Sequence, residues 1–218
     1  MLFKDLDWYQ QCIYKMNYFL EEIKILKEKK DFEVNDQIRI NILLNVIKSP
    51  MEYATLALVR KVSKKDNAFL PFRQSYYDDK KFKSHIKEKL GYVDAGIYSI
   101  FNQLFVDDLY TQFNDMQNNE KHSGINIHRK KIIENSGYGV YGNNIIINNY
   151  TSVRDEETKS TGIVINGEEI DITKNEGYTL KNEIYFEYNN REVFEFLDEV
   201  YQMVNNFVID IKHYIENC

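Results

Sequence analysis

Between Asp5 and Lys30, Leu6, Tyr9, Ile13, Met16, Leu20 and Ile23 recur at spacings of three and four. That is the period of an amphipathic helix with one apolar seam. After the charged stretch KEKKDFEVND, Asn35 or Asp36 is placed to cap a second helix carrying Ile38, Ile42 and Val46. KSPMEYATLALVRKVSKK then reads as a new helix, with Ser49 as N-cap, Pro50 at its first position and Glu52 in its first turn. Its run ATLALV is apolar on most faces, which predicts a central place in a bundle. Pro71 in NAFLPF marks a loop. Helical pattern returns from about Tyr77 through DDKKFKSHIKEKL, and Gly91 marks a break. From Val93 to Gln117 the chain reads as one long helix or two end to end, burying Val93, Ile97, Ile100, Phe101 and Leu104.

From about residue 121 to 190 alternation replaces the helical period. GINI, YGVYGNNIIIN, GIVINGEEIDI and EIYFEY read as short strands. Asn166-Gly167 is the dipeptide of a two-residue hairpin turn, and SVRDEETKST reads as an exposed loop or hairpin tip. From Arg191 to about Asn217, Phe194, Leu197, Tyr201, Val204, Val208, Ile211 and Ile215 again step by three and four. This seam matches that of the first helix, so the two are expected to pack together. The predicted fold is α+β and predominantly α. A helical bundle of residues 1–120 and 191–218 forms a single domain with a small antiparallel β insertion at about 121–190.

Composition adds little to this. With 218 residues, 43% hydrophobic and 28% charged, the chain has enough apolar content for a packed core. Two cysteines, Cys12 and Cys218, supply neither a disulfide framework nor a zinc site, and a reduced compartment is expected. MLFKDLDWYQQ lacks the basic start and apolar core of a secretion signal, and no continuous apolar run reaches span length. The expectation is a cytoplasmic protein without membrane contact. Charge is uneven within a net −6: Arg60 to Lys89 holds ten basic against four acidic residues, and Glu187 to Cys218 two against seven. Such asymmetry fits a nucleic-acid face, a basic helix face beside an acidic one, or two solvated faces.

The densest candidate chemistry is QNNEKHSGINIHRKK, residues 117–131, with two of the four histidines. His122 and His128 are six apart, which would set them on one side of a strand starting near Ser123. Four zinc ligands are not available there, so no metal is expected. His122 is the candidate general acid or base, with Asp115 and Glu120 close in sequence. Lys121, His122, Arg129, Lys130 and Lys131 form the candidate phosphate-binding set, and the bland alternative is a solvated turn from helix to strand. Signatures of nucleotide-binding loops, nucleophile elbows and zinc hydrolases are missing, and no cofactor is expected. GYGVYG, residues 137–142, precedes a strand and reads as turns. The acidic pairs in VDDLY, YYDDKK and RDEETK read as solvated faces.

SPMEYATLALVRKVS, the loop ending FLPF, and the helix running into LYTQFNDMQNNEKHS together resemble HEPN-type helical proteins, over roughly residues 1–128 and 191–218. The resemblance implies a prokaryotic defence, toxin–antitoxin or stress setting. Many members are metal-independent ribonucleases, whose Arg and His, four to six residues apart, meet at a dimer interface. Here no histidine has an arginine at that distance: Arg73 is the nearest before His85, His122 and His128, and Arg191 before His213. The resemblance therefore implies a non-catalytic binding or regulatory member, with a protein partner or a second copy of itself. An RNA-binding protein or degenerate ribonuclease using the 121–131 segment is the alternative.

Overall fold

The computed structural model describes residues 2–29, 32–122, 124–141, 145–156, 163–165 and 168–218. Two compact units result, residues 1–126 with 194–218, and residues 127–193. The first is helical and the second is built of β-strands, so the fold is α+β and predominantly α.

In the helical unit, α1 spans Trp8–Lys27. Asp7 starts it with a reciprocal cap, accepting from the Gln10 amide at 2.8 Å while its own amide donates to the Gln10 side chain at 3.1 Å. The buried side is Cys12, Met16, Phe19, Ile23 and Leu26, which keeps only Met16 and Ile23 from the expected seam; Leu20 is exposed. The difference arises because α1 serves two neighbours. It runs beside α2 (Val34–Val62), where the Cys12 thiol reaches the Pro50 carbonyl and Glu22 pairs with Arg39 at 2.5 Å. It also lies antiparallel to α6 (Val193–Glu216): Lys27 meets Asp198 at 2.7 Å, Phe19 stacks on Tyr201, and Lys212 sits over the Tyr9 ring. The buried arc is centred between these two partners.

α2 corrects two expectations. It is one helix of 29 residues, with Pro50 inside it and Glu33 at its N-cap position. The Ser49 hydroxyl donates back to the Asn45 carbonyl at 3.1 Å and caps nothing. A proline inside a helix costs about 3 kcal/mol. The turns on either side bury Ile47, Met51, Ala54 and Leu58 with no exposure, and each large apolar side chain returns about 1.5–3 kcal/mol. Continuity wins. The buried face is Ile40, Leu43, Leu44 and Ile47, whereas Ile38 and Ile42 stand 44% and 52% exposed. By length and composition α2 is also apolar enough to cross a membrane, contrary to the reading from continuous runs; 56% of its apolar window is buried inside the protein.

The segment after α2 is irregular around Pro71 and is held by Arg73, which donates to the Tyr77 carbonyl at 3.2 Å and to Asp79 at 2.8 Å. α3 (Asp79–Leu90) begins at the Asp78 cap and stops at Gly91, whose φ of +86° terminates it. Two helices follow, α4 (Ala95–Gln103) and α5 (Leu109–His122). The Asp94 carboxylate caps α4 through the Ile97 amide at 2.8 Å and accepts from the Tyr214 hydroxyl at 2.7 Å, pinning α4 to the end of α6. α6 buries Phe196, Leu197, Val200, Val204, Phe207, Val208 and Ile211. Phe194, Tyr201 and Ile215 of the expected seam are half-buried.

In the β unit, β1 (His128–Asn135) is the centre of a three-stranded antiparallel sheet. β4 (Thr151–Asp155) flanks it on one side and β7 (Thr179–Phe186) on the other. β2 (Tyr138–Tyr141) pairs antiparallel with β3 (Ile145–Asn148), and β5 (Ile163–Ile165) with β6 (Glu168–Ile170). The central strand comes from HRKKIIEN, which alternation missed, while GINI forms no strand. Residues 152–155, expected in a loop, lie in β4. Asn166 and Gly167, the expected turn, lie outside the described residues, as do 157–161 of the expected loop tip. Gly137 turns the chain from β1 to β2 at φ +58°; an added Cβ would stand 2.3 Å from the Glu176 carbonyl oxygen.

Candidate functional site

The 117–131 segment is divided between the two units. Lys121 and His122 end α5 in the helical unit, and Arg129, Lys130 and Lys131 belong to β1 in the other. The two histidines lie on different elements, not on a common strand. His122 is exposed. Of the acids near it in sequence, Glu120 is taken up by the Asn45 side-chain amide at 2.5 Å, and Asp115 is exposed on α5. His128 is half-buried with its ring 4.9 Å from that of Phe186, and burial lowers its pKa to about 4. At neutral pH it is uncharged.

Strand geometry separates the basic triplet further, because successive side chains point to opposite faces. Arg129 faces Glu187 at 3.6 Å and Lys130 faces Glu156 at 3.7 Å. Lys131 donates to Asn190 at 2.8 Å, with its ammonium 4.0 Å from the Tyr185 ring centre. Each cation already has a polar or acidic partner within the β unit.

Sequence reading missed a polar ladder between α2 and α5. Lys48, only 6% exposed, donates to the Tyr110 hydroxyl at 2.8 Å and to Asn114 Oδ1 at 3.1 Å. One turn earlier, Gln117 donates to Asn45 Oδ1 at 2.8 Å. A further turn along, Asn41 Oδ1 accepts from both the backbone amide and the side chain of Asn126, at 2.9 and 2.6 Å. Burial raises the Tyr110 phenol far above its ordinary range, so it stays protonated. The signal was there to find: Asn41, Asn45 and Lys48 on α2, and Tyr110, Asn114 and Gln117 on α5, step by four and three. Largely buried, the ladder can fix how α2 docks on α5, because shifting either helix would orphan buried donors and acceptors.

A cavity of about 200 Å³ in the helical unit is lined by Leu104, Phe207 and Met203, with Asp107 and Asp210 among its polar residues. Cys12 is buried, which pushes its thiol up to about 12 and removes it as a nucleophile; Cys218 is exposed, and the two are unbridged. Among the described residues no three histidines, cysteines or carboxylates gather as a metal site. Comparison of the chain with family models, curated proteins and solved structures finds no match.

Proposed function

We propose that the chain is a non-catalytic, HEPN-like binding or regulatory protein of the cytoplasm, serving a prokaryotic defence or stress system. One observation supports this above others. Gln117 stands five residues before His122, within the spacing at which catalytic members carry arginine. It is 3% exposed, with its amide given to Asn45. A neutral side chain tied into the core brings no cation to the phosphate that an exposed His122 would act on. The resemblance, with its dimeric members, makes a second copy of the chain the first partner to seek.

The test is incubation of the purified protein with an end-labelled mixed RNA pool, beside His122→Ala, with sedimentation velocity of the same sample. The expected result is intact RNA with both proteins. Cleavage by the wild type that disappears in His122→Ala would overturn the non-catalytic reading.

A further inference from the structure

Ten basic residues lie between Arg60 and Lys89, and the fold brings the C-terminal ends of α2 and α3 together. Lys65 leaves the end of α2 and donates to the Glu88 and Lys89 carbonyls that close α3, at 2.5 and 3.3 Å. Ser63 lies against Gly91 there. The C-terminal ends of α2 and α3 thus meet. α3 buries Phe82, Ile86 and Leu90 with no exposure, which turns Lys80, Lys83 and Lys87 outward.

The acids of this segment are largely spent. Asp78 caps α3 through the Lys81 amide at 2.7 Å, Asp79 holds Arg73 at 2.8 Å, and Glu88 lies 3.9 Å from both His85 and Lys89. Among the described residues, Arg60, Lys61, Lys64, Lys80, Lys83 and Lys87 form no ion pair. Three of these cations, Lys80, Lys83 and Lys87, follow one another along the exposed side of α3, and the segment's remaining acid is the exposed Asp66; on a chain of net charge −6 this is a local attractor for a polyanion on a body that repels it elsewhere.

Beside the cations stands a ring. Tyr76 is 69% exposed yet held in place, edge-on to Tyr77 at 5.0 Å. The Lys81 ammonium sits 4.6 Å and 4.9 Å from the two ring centres. An exposed aromatic next to a row of lysines is the arrangement that takes a base on its ring and phosphates on the cations. The outward residues of α3 are charged or polar, with no apolar side chain to insert into a bilayer, which argues against a lipid surface.

From this we infer that the Arg60–Lys89 surface binds single-stranded nucleic acid, its phosphates along Lys80, Lys83 and Lys87 and a base on Tyr76. The inference rests on reading the chain as a binding protein, and it names the partner's chemistry. It also moves the contact away from the 121–131 segment.

The experiment is fluorescence anisotropy of a labelled twelve-nucleotide single-stranded RNA with the full chain, from ~50 to ~200 mM KCl. Three variants run alongside: Lys80→Gln/Lys83→Gln/Lys87→Gln, Tyr76→Ala, and Arg129→Gln/Lys130→Gln/Lys131→Gln. Circular dichroism checks that each is folded. Salt should weaken wild-type binding steeply. Losing three phosphate contacts should flatten the log–log salt slope by about 2 and weaken binding roughly tenfold or more at low salt. Tyr76→Ala should weaken it about five- to 150-fold with the slope kept. The β1 variant should bind like the wild type. The inference is overturned if the wild type does not bind RNA, if the α3 variant binds as well as the wild type, or if the β1 variant alone loses affinity. Binding only to phosphatidylserine vesicles overturns it too. Binding accompanied by cleavage would leave this surface standing while removing the non-catalytic reading; no binding and no cleavage would do the reverse.

Discussion

Lys48 is the most informative residue to perturb, because its ammonium is enclosed by the helical core. It bridges Tyr110 Oη at 2.8 Å and Asn114 Oδ1 at 3.1 Å, and lies 4.5 Å and 5.4 Å from the ring centres of Tyr110 and Phe113. Lys48→Met keeps an unbranched chain of similar length, so little packing is lost and the donor alone disappears. Two neutral acceptors are orphaned, at about 1–3 kcal/mol each, and the relieved cost of burying an ammonium offsets part of that. We expect a loss of about 1–4 kcal/mol. Tyr110→Phe does the opposite, stranding the ammonium with one of these acceptors, and should cost more, about 3–5 kcal/mol. Combining them removes both halves of the bond, so the double variant should be more stable than Tyr110→Phe alone, with a coupling of about 1–3 kcal/mol. Trp8, the only tryptophan, opens α1 and reports unfolding of the helical unit by fluorescence in urea. Additive losses, or a double variant less stable than Tyr110→Phe, would show that Lys48 and Tyr110 do not depend on each other.

Two further outcomes test the β unit. His128 has a folded pKa of about 4 against 6.5 for the free side chain. As pH falls from about 6.5 to about 4 the unfolded chain takes up a proton that the folded one refuses. Stability should therefore drop over that window by up to about 3 kcal/mol, and His128→Gln should flatten the profile; an unchanged slope in that variant would refute the assignment. Gly137→Ala forces a side chain into the left-handed region and against the Glu176 carbonyl, costing about 1–3 kcal/mol from backbone strain before the clash is counted. Hydrogen exchange at the Ser136 and Tyr138 amides, which bond to Tyr150 and Glu176, should quicken.

Some of this architecture was legible in advance because its causes are local. Gly91 ends α3 where its φ of +86° falls, and the α6 period follows from its own residues. The break between α4 and α5 was one of two readings of a segment whose apolar pattern continues across it. The candidate segment at 117–131 was legible as a concentration of histidine and cation, but not as a place. The chain passes from helix to strand inside it, α5 ending at His122 and β1 beginning at His128, so neighbours in sequence are parted between units.

By itself the sequence determined the order of elements, helices then strands then a helix, since the 3.6 and 2.0 periods act within a turn or a pleat. It determined too the excess of cations between Arg60 and Lys89. Only the tertiary structure decided which faces are buried, that α2 continues through Pro50, that the charged HRKKIIEN is a central strand, and which of those cations are left without acids. These outcomes depend on partners far along the chain: Asn41 meets Asn126 across 85 residues, and Lys48 meets Tyr110 across 62. Burial and hydrogen-bond completion are properties of such pairs, and no local period encodes them.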